Sequence, residues 1–384
     1  MIDTIILKIP SHQWSLPDTQ AADIGRWSLQ GRNGGFERRV NNPTAKDKAS
    51  GDYFPRLTAI KQGARLTGKF LKIEFSAPKL LYGNNVDELT GGDFQAVVAA
   101  LKNRLIRMGV FVLTDFLEEA EVTAFHPSKN VLLSDGYTAS YIISDLARIG
   151  LPRRLDMAKV TFTNDGKSLQ FYSAAHSVVF YDKVADLNRT KGRAIDKDQT
   201  TRQGSLFDAP GSVTRPPEIL RMEVRLSKKQ KMNAVLARLG HKQDPTFREL
   251  FNTGLCRSLL KNYWEEYAGN GYAFILDQAG SPQATLKTLF QQGIKPKEAV
   301  YLLGLFTACR DSPGVIGLRT ILGVHSTTRQ WPRMRKDINR LNALCQNPSA
   351  SLRGWRKQIE DGIDTMIPYR LSKALKRNES ADKA

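Results

Sequence analysis

Alternation of apolar and polar side chains dominates the first 227 residues and constrains the fold more than any other feature. Residues 5–9, 65–76 and 218–227 alternate most regularly, so the apolar side chains of each segment share one face. This two-residue period is typical of strands with one buried face and one polar face. The first half of the chain is therefore predicted to be mainly strands.

Local signals place further elements in this half. Helical spacing predicts helices at about 93–108 and 138–149, and strands are expected at 120–126 and 177–184. The sequence Asn164-Asp165-Gly166 between two apolar runs indicates a hairpin. These elements belong together in a sheet with a few helices.

The alternation is interrupted once and then ends. Residues 188–217 are polar, charged and contain Gly and Pro, which predicts an exposed loop of low order. After the strand at 218–227, the chain has helical spacing from residue 229 onward. The sequence predicts an α+β chain, with a sheet domain at 1–227 and an all-helical domain at 228–384.

The charge balance points to a polyanionic partner. The chain has 57 Lys and Arg against 38 Asp and Glu, a net charge of +19. Inside a cell the commonest polyanion is nucleic acid, although a basic protein without such a partner is the alternative. Three scattered cysteines give no disulfide framework or zinc motif, and no apolar run suits a membrane span or a signal peptide. We expect a protein of the reducing cytoplasm.

Three carboxylates occupy polar positions of predicted strands. They are Glu74, Glu121 and Glu223, and His126 ends the strand that Glu121 begins. Carboxylates gathered on one sheet face would suit Mg²⁺ or Mn²⁺, and an imidazole would favour Mn²⁺. Each acid taken alone is better explained as an ordinary solvated strand position that pairs with a neighbouring basic residue. A divalent metal is the expectation if they meet.

Tyr181 and Lys183 lie two residues apart in a predicted strand and would share a face. A tyrosine hydroxyl can attack a phosphodiester and hold the cleaved strand as a phosphotyrosine. A neighbouring ammonium would favour the phenolate and stabilise charge on the phosphorus. The same spacing also occurs by chance in many strands.

Several segments, in chain order, resemble the filamentous-phage-type (gene II/X) replication initiators of phages and plasmids. They are MIDTIILKIP, IEFSAPKLLYGNNV, AEVTAFHPSKN, VVFYDKVADL and LRMEVRL. The resemblance covers about residues 1–250. It implies the antiparallel-sheet nuclease domain that rolling-circle initiators share with conjugative relaxases.

The resemblance also implies an activity. Such initiators nick one strand at the origin, remain attached to its 5′ phosphate through a tyrosine, leave a 3′ hydroxyl for the polymerase and later rejoin the strand. Tyr181 matches the family's nucleophile, Lys183 the basic residue after it, and Glu223 a family glutamate. Arg221 and Arg225 flank Glu223 and are expected to contact DNA.

The metal ligands match the family less well. Glu74 matches the acid before the S-x-x-K segment. Glu121 lies where phage members have an aspartate in an R-I-D strand, but the sequence EAEVTAF lacks that arginine. The wider superfamily often has an H-x-H motif, which this chain lacks, so His126 is the remaining candidate imidazole.

The loop at 188–217 contains a second motif. Gln203, Leu206 and Phe207 spell Q-x-x-L-F, which resembles the peptide by which bacterial replication proteins bind the polymerase sliding clamp. An extended segment of this kind offers a hydrogen-bonding Gln and two apolar side chains for a pocket. Alternatively, Leu206 and Phe207 pack back onto the protein itself.

The region from Ser312 to Asn342 has helix-turn-helix character. A turn is expected at Gly323 and a second helix from about Ser326. This second helix carries five basic residues that could contact the major groove or phosphates: Arg329, Arg333, Arg335, Lys336 and Arg340. The alternative is a basic, solvated helix packed through Trp331 and Met334.

These observations predict a rolling-circle initiator that nicks and rejoins origin DNA in a bacterial host, working with the host helicase, polymerase and possible sliding clamp. The alternatives are a conjugative relaxase, which shares the chemistry, and a non-catalytic DNA-binding replication or copy-control protein. A relaxase is less favoured because no helicase-like or mobilisation segment follows the sheet domain.

Overall fold

A computed structural model gives the fold of this chain. It describes residues 1–16, 26–33, 36–62, 65–148, 160–163, 166–187, 217–268, 281–311, 314–325, 330–345 and 354–371.

Strands occupy most of the described chain before residue 227. They are β1 (Ile2–Pro10), β2 (Trp14–Ser15), β3 (Ser28–Asn33), β4 (Phe36–Asn41), β5 (Arg56–Gln62), β6 (Arg65–Ser76), β7 (Phe111–Val112), β8 (Glu121–Leu132), β9 (Val160–Thr163), β10 (Ser168–Tyr172), β11 (His176–Asp182) and β12 (Ile219–Leu226).

Helices are few before residue 227 and dominate after it. They are α1 (Ala45–Ala49), α2 (Ala77–Tyr82), α3 (Phe94–Arg107), α4 (Thr114–Glu118), α5 (Ala139–Arg148), α6 (Lys183–Leu187), α7 (Lys229–Arg238), α8 (Phe247–Leu250), α9 (Thr253–Ala268), α10 (Pro282–Gln291), α11 (Pro296–Arg310), α12 (Gly314–His325), α13 (Gln330–Cys345) and α14 (Gly354–Thr365). No helix of the described residues is long and apolar enough to cross a membrane.

Ten strands form one sheet in the order β3-β4-β5-β6-β1-β8-β12-β11-β10-β9, while β2 and β7 pair separately. Every neighbouring pair in the large sheet is antiparallel. The predicted α+β class is confirmed, with a larger sheet than the alternation alone indicated.

Strand register places the apolar side chains on one face. Leu7 of β1 lies opposite Ile73 of β6 and Val122 of β8, and all three are fully buried. Helices cover this face: the ring of Phe180 on β11 packs 6.2 Å from that of Trp264 on α9. The opposite face carries polar residues, as the alternation predicts.

Helices that follow β12 complete the core of the sheet. α7 and α9 pack on β8 and β12, α14 packs on β8, and Trp355 of α14 is fully buried in the same core. The predicted division at 227/228 therefore falls within one continuous hydrophobic core. α10, α11, α12 and α13 form a group of their own, and α12 joins it to α5.

The predicted turn at Gly323 is wrong. Helix α12 continues through Gly323 to His325, and the next described helix begins at Gln330. A glycine within a helix is tolerated at a cost of about 1 kcal/mol relative to alanine, so its presence alone does not end the helix. The predicted start at Ser326 lies outside the described residues.

A buried carboxylate ties together three segments that are distant in the chain. Glu88 accepts hydrogen bonds from Lys129 Nζ at 2.5 Å, from the Asn130 N–H at 2.6 Å and from the Tyr369 N–H at 2.8 Å. Burial raises the pKa of Glu88, but the Met1 amino group and Lys129 lower it more, and the net pKa is below the ordinary value. Glu88 is therefore ionised and holds the segment after α14 against β8.

Replacing this carboxylate should destabilise the fold. In Glu88→Gln the buried Lys129 ammonium loses its counter-ion, so the free energy of unfolding should fall by about 3 kcal/mol in urea denaturation. The double variant Glu88→Gln/Lys129→Met should recover part of this loss. Because folding lowers the pKa of Glu88, the difference should be complete above its ordinary value of 4.5 and should decrease at lower pH. A loss below 0.5 kcal/mol at neutral pH would contradict this assignment.

Candidate functional site

Strands β8, β12 and β11 bring the main polar cluster together on the face opposite the hydrophobic core. In register, Tyr181 of β11 lies opposite Arg221 of β12, which lies opposite Asn130 of β8. Residues directly opposite each other in an antiparallel pair point to the same face. Two residues further along β12, Glu223 points to this face as well.

Tyr181 and Glu223 are in direct contact. The Tyr181 hydroxyl donates a hydrogen bond to Glu223 Oε2 at 3.2 Å, and only 8% of Tyr181 is exposed. Burial raises the pKa of Tyr181 well above its ordinary value, outweighing the opposite effect of Arg221. The phenol is therefore neutral. The phenolate expected from a neighbouring ammonium is not favoured, because burial of the ring dominates.

Glu223 is ionised although it is 2% exposed. Burial raises its pKa, but Arg225, His126 and Arg221 lower it more, so the net pKa is well below the ordinary value. Arg225 Nε donates to Glu223 Oε1 at 2.8 Å, and His126 Nδ1 lies 3.5 Å from the same oxygen. The carboxylate can thus accept the Tyr181 proton in a hydrogen bond at neutral pH.

Arg221 lies beneath this pair and is also 2% exposed. Its two terminal nitrogens contact Asp3 at 3.2 Å, the Ser128 hydroxyl at 2.8 Å and the Asn85 carbonyl oxygen at 2.6 Å. Both terminal nitrogens of Arg221 are thus engaged within the protein, and its contact with DNA stays a prediction. Arg225 is about one-third exposed at its side chain and remains at the surface of the cluster.

Lys183 reaches the cluster by a different route from the one predicted. β11 ends at Asp182 and Lys183 begins helix α6, whose first turn is capped where Asp182 Oδ1 accepts from the Ala185 N–H at 2.9 Å. The shared strand face predicted for Tyr181 and Lys183 is therefore wrong. Nevertheless, Lys183 Nζ lies 5.5 Å from the centre of the Tyr181 ring.

The environment of Lys183 changes its acidity. The side chain is fully buried and lies 3.3 Å from Asp186. Burial lowers the pKa of Lys183 to about 8, although Asp186 raises it. This ammonium can therefore lose its proton near pH 8, whereas an ordinary lysine stays charged.

Sequence reasoning missed Asp3, Lys79 and Asp186, which complete the charged cluster. Asp3 is buried and paired with Arg221, and the charges of Lys79 and Asp186 both act on Lys183. Alternation alone would place Asp3 on the face of the buried Ile5 and Leu7, but the pairing of β1 with β8 shifts register between Ile2 and Thr4, and Asp3 meets Arg221 instead. A carboxylate at such a position requires a buried partner.

Glu74 and Glu121 belong to separate ion pairs. Glu74 contacts Lys72 at 3.1 Å and Arg56 at 3.6 Å. Glu121 contacts Lys8 at 3.2 Å and Lys229 at 2.5 Å. Both carboxylates are thus partly exposed strand residues that form ion pairs with lysine or arginine side chains, as the alternative to a metal site predicts.

Only two of the four predicted metal ligands, His126 and Glu223, contact each other. Within the described ranges, no group of three or more His, Cys, Asp or Glu side chains could hold a metal ion. Glu74 and Glu121 are therefore not gathered with Glu223 and His126, and the Mg²⁺ or Mn²⁺ site stays a prediction.

Helix α13 presents a basic surface. Arg333, Arg335, Lys336 and Arg340 are exposed, whereas Ile338 and Leu341 are buried against the neighbouring helices. Arg340 forms an ion pair with Glu298 of α11.

The remaining predicted contacts cannot be placed. Arg329 lies outside the described residues, as do Gln203, Leu206 and Phe207 of the clamp-like motif.

No protein-family model, curated protein or solved structure matches this chain. The resemblance to phage-type replication initiators stays a prediction that rests on the sequence segments and their order.

Proposed function

We propose that this protein initiates rolling-circle replication of a plasmid or phage by nicking and rejoining one strand of origin DNA. The observation that carries the proposal is the contact between the Tyr181 hydroxyl and Glu223, surrounded by Arg221, Arg225 and Lys183. A nucleophilic hydroxyl, a carboxylate acceptor and nearby cations are what phosphodiester transesterification requires. The proposed site of action is the cytoplasm of a bacterial host.

The proposed reaction exchanges one ester for another. The Tyr181 oxygen bonds to the phosphorus while the bond from phosphorus to the 3′ oxygen breaks, which leaves a 5′-phosphotyrosine and a free 3′ hydroxyl. The phenolic proton passes along the hydrogen bond to Glu223, and the departing 3′ oxygen takes up a proton from water; Glu223 then returns its proton to the solvent. Rejoining reverses each step, with the 3′ hydroxyl as the attacking group.

Cations would assist where negative charge develops. Arg225 is the cation of this cluster that reaches the surface and could contact a phosphate, whereas Arg221 and Lys183 are buried and would act through their charge. The exposed bases of α13 would bind origin DNA through its phosphates or its major groove. Such binding should weaken steeply as salt increases.

Two alternative functions are compatible with the same site. A conjugative relaxase would use the same transesterification in DNA transfer. A non-catalytic DNA-binding replication or copy-control protein is favoured by the burial and raised pKa of Tyr181 and by the separation of Glu74 and Glu121 from Glu223. Formation of a covalent adduct separates the catalytic proposals from this last one.

Metal dependence is a separate part of the proposal. Glu223 and His126 would be the protein ligands of Mg²⁺ or Mn²⁺. Glu74 and Glu121 lie in other ion pairs and would not be ligands in this arrangement. Nicking that continues in excess EDTA would contradict this part and leave the role of Tyr181 intact.

The nucleophile is tested by Tyr181→Phe. Incubation of supercoiled origin DNA with wild-type protein and Mg²⁺ or Mn²⁺ should give nicked circles and a strand covalently attached to protein. The variant lacks the attacking oxygen, so nicking should fall at least about 10³-fold while DNA affinity changes less than twofold. Tyr172→Phe on β10 is the matched control and should nick normally. If a covalent adduct still forms with Tyr181→Phe, Tyr181 is not the nucleophile.

The pH dependence of nicking tests Lys183. Its pKa is lowered to about 8 from the ordinary 10.5, so its charge is present below pH 8 and lost above it. If this charge stabilises the phosphorus centre, the rate should fall up to tenfold per pH unit above about 8. Lys183→Arg should retain charge and remove that fall. A wild-type rate that instead rises through pH 8 would contradict the electrostatic role.

The clamp motif is tested separately from catalysis. Leu206→Ala/Phe207→Ala removes both apolar side chains of the Q-x-x-L-F segment, so retention on an immobilised bacterial sliding clamp should be lost. Nicking should stay within twofold of wild type. Equal retention of the variant and the wild type would show that the two side chains do not bind the clamp.

A further inference from the structure

Helices α11, α12 and α13 enclose a surface cavity of about 400 Å³ that the nicking reaction does not use. Tyr301 of α11, Leu322 of α12, and Trp331 and Met334 of α13 supply its apolar walls. The exposed side chains of Val300 and Ile321 adjoin two of these residues in sequence. We name this cavity the aromatic groove.

The groove also has polar groups at defined positions. Asp337 lines it and accepts a hydrogen bond from the Tyr301 hydroxyl at 3.0 Å. This bond orients the Tyr301 ring, and a carboxylate has acceptor capacity beyond one such bond. Gln330 adds an amide to the lining. Flat apolar walls with a polar edge suit a heterocyclic ring that carries a hydrogen-bond donor.

Positive charge surrounds the groove. Arg333 lines it directly, and Arg335 and Lys336 are exposed on the same helix. The Arg319 guanidinium lies 5.7 Å from the centre of the Trp331 ring, within the range of a cation–π contact. Cations outside and a carboxylate inside would place phosphates at the edge of the groove and exclude them from its interior.

We propose that the aromatic groove binds an unpaired nucleobase of single-stranded DNA, preferentially one with an exocyclic amino group. The base stacks on Trp331 or Tyr301, its amino group donates to Asp337, and the flanking phosphates contact Arg333 and Arg335. An acidic peptide fits less well, because its carboxylates would face Asp337. The inference rests on the proposed function only in taking DNA as the polyanion.

Photo-crosslinking tests the occupant directly. The probe is a single-stranded oligonucleotide of deoxycytidine with one 5-iodocytosine, irradiated with the full-length Tyr181→Phe protein so that covalent nicking cannot contribute. Mass spectrometry should place the crosslink on Trp331 or Tyr301. A crosslink confined to residues outside the groove, or no binding of the oligonucleotide at all, would overturn the inference.

Affinity measurements provide the matched controls. Fluorescence anisotropy should show Trp331→Ala and Tyr301→Ala binding the deoxycytidine oligomer about tenfold more weakly, with Trp331→Phe close to wild type. Phe290→Ala removes a comparably exposed aromatic of α10 outside the groove and should have no effect. Asp337→Asn should reduce the preference for deoxycytidine over thymidine oligomers. Affinities unchanged in both alanine variants would overturn the inference, and circular dichroism checks that each variant is folded.

The two proposals fail in different ways. Crosslinking at Trp331 without any nicking by the wild-type protein would refute the nuclease and support the groove. Nicking through Tyr181 with crosslinks only on the sheet face would support the nuclease and refute the groove.

Discussion

The rest of the candidate site depends on the contacts that the buried Arg221 guanidinium makes within the protein. An uncompensated charge at 2% exposure would cost several kcal/mol, so its surroundings have to supply acceptors. β1 supplies Asp3, β8 supplies the Ser128 hydroxyl, and the segment before Glu88 supplies the Asn85 carbonyl. The resulting positive charge lowers the pKa of Glu223 and limits the rise in the pKa of Tyr181.

Burial separates the acidities of the groups around this guanidinium. It raises the pKa of the Tyr181 phenol and lowers that of Lys183, whereas Glu223 remains ionised because Arg225, His126 and Arg221 lower its pKa more than burial raises it. At neutral pH the cluster therefore holds a neutral donor next to an ionised acceptor. Under the proposed function, ionisation of the Tyr181 phenol would require a change in this buried environment, because burial is the main cause of its raised pKa.

The alternation of apolar and polar residues predicted those features that depend on neighbouring residues in the sequence. Alternation gave β12 and the faces of its residues, and cross-strand pairing then brought Glu223 to Tyr181. The helical start at Lys183 escaped prediction because a cap by Asp182 overrides strand propensity. Glu74 and Glu121 lie on the predicted face. The basic side chains that they contact come from β5, β1 and α7, which are distant in sequence. Such pairings follow from strand order, which alternation does not encode.

The core behind the sheet connects the helical group to the strand that carries Tyr181. α12 packs on α5, and α5 packs on β10 and β11. Gly314 begins α12 at a φ of 71°, and a Cβ there would lie 2.7 Å from the Arg148 carbonyl oxygen at the end of α5. Only glycine combines this conformation with such close approach. The helical group that contains α13 is therefore held relative to the strand of Tyr181 through packed helices. Under the proposed function, this packing would set the length of DNA between a contact on α13 and the nick at Tyr181.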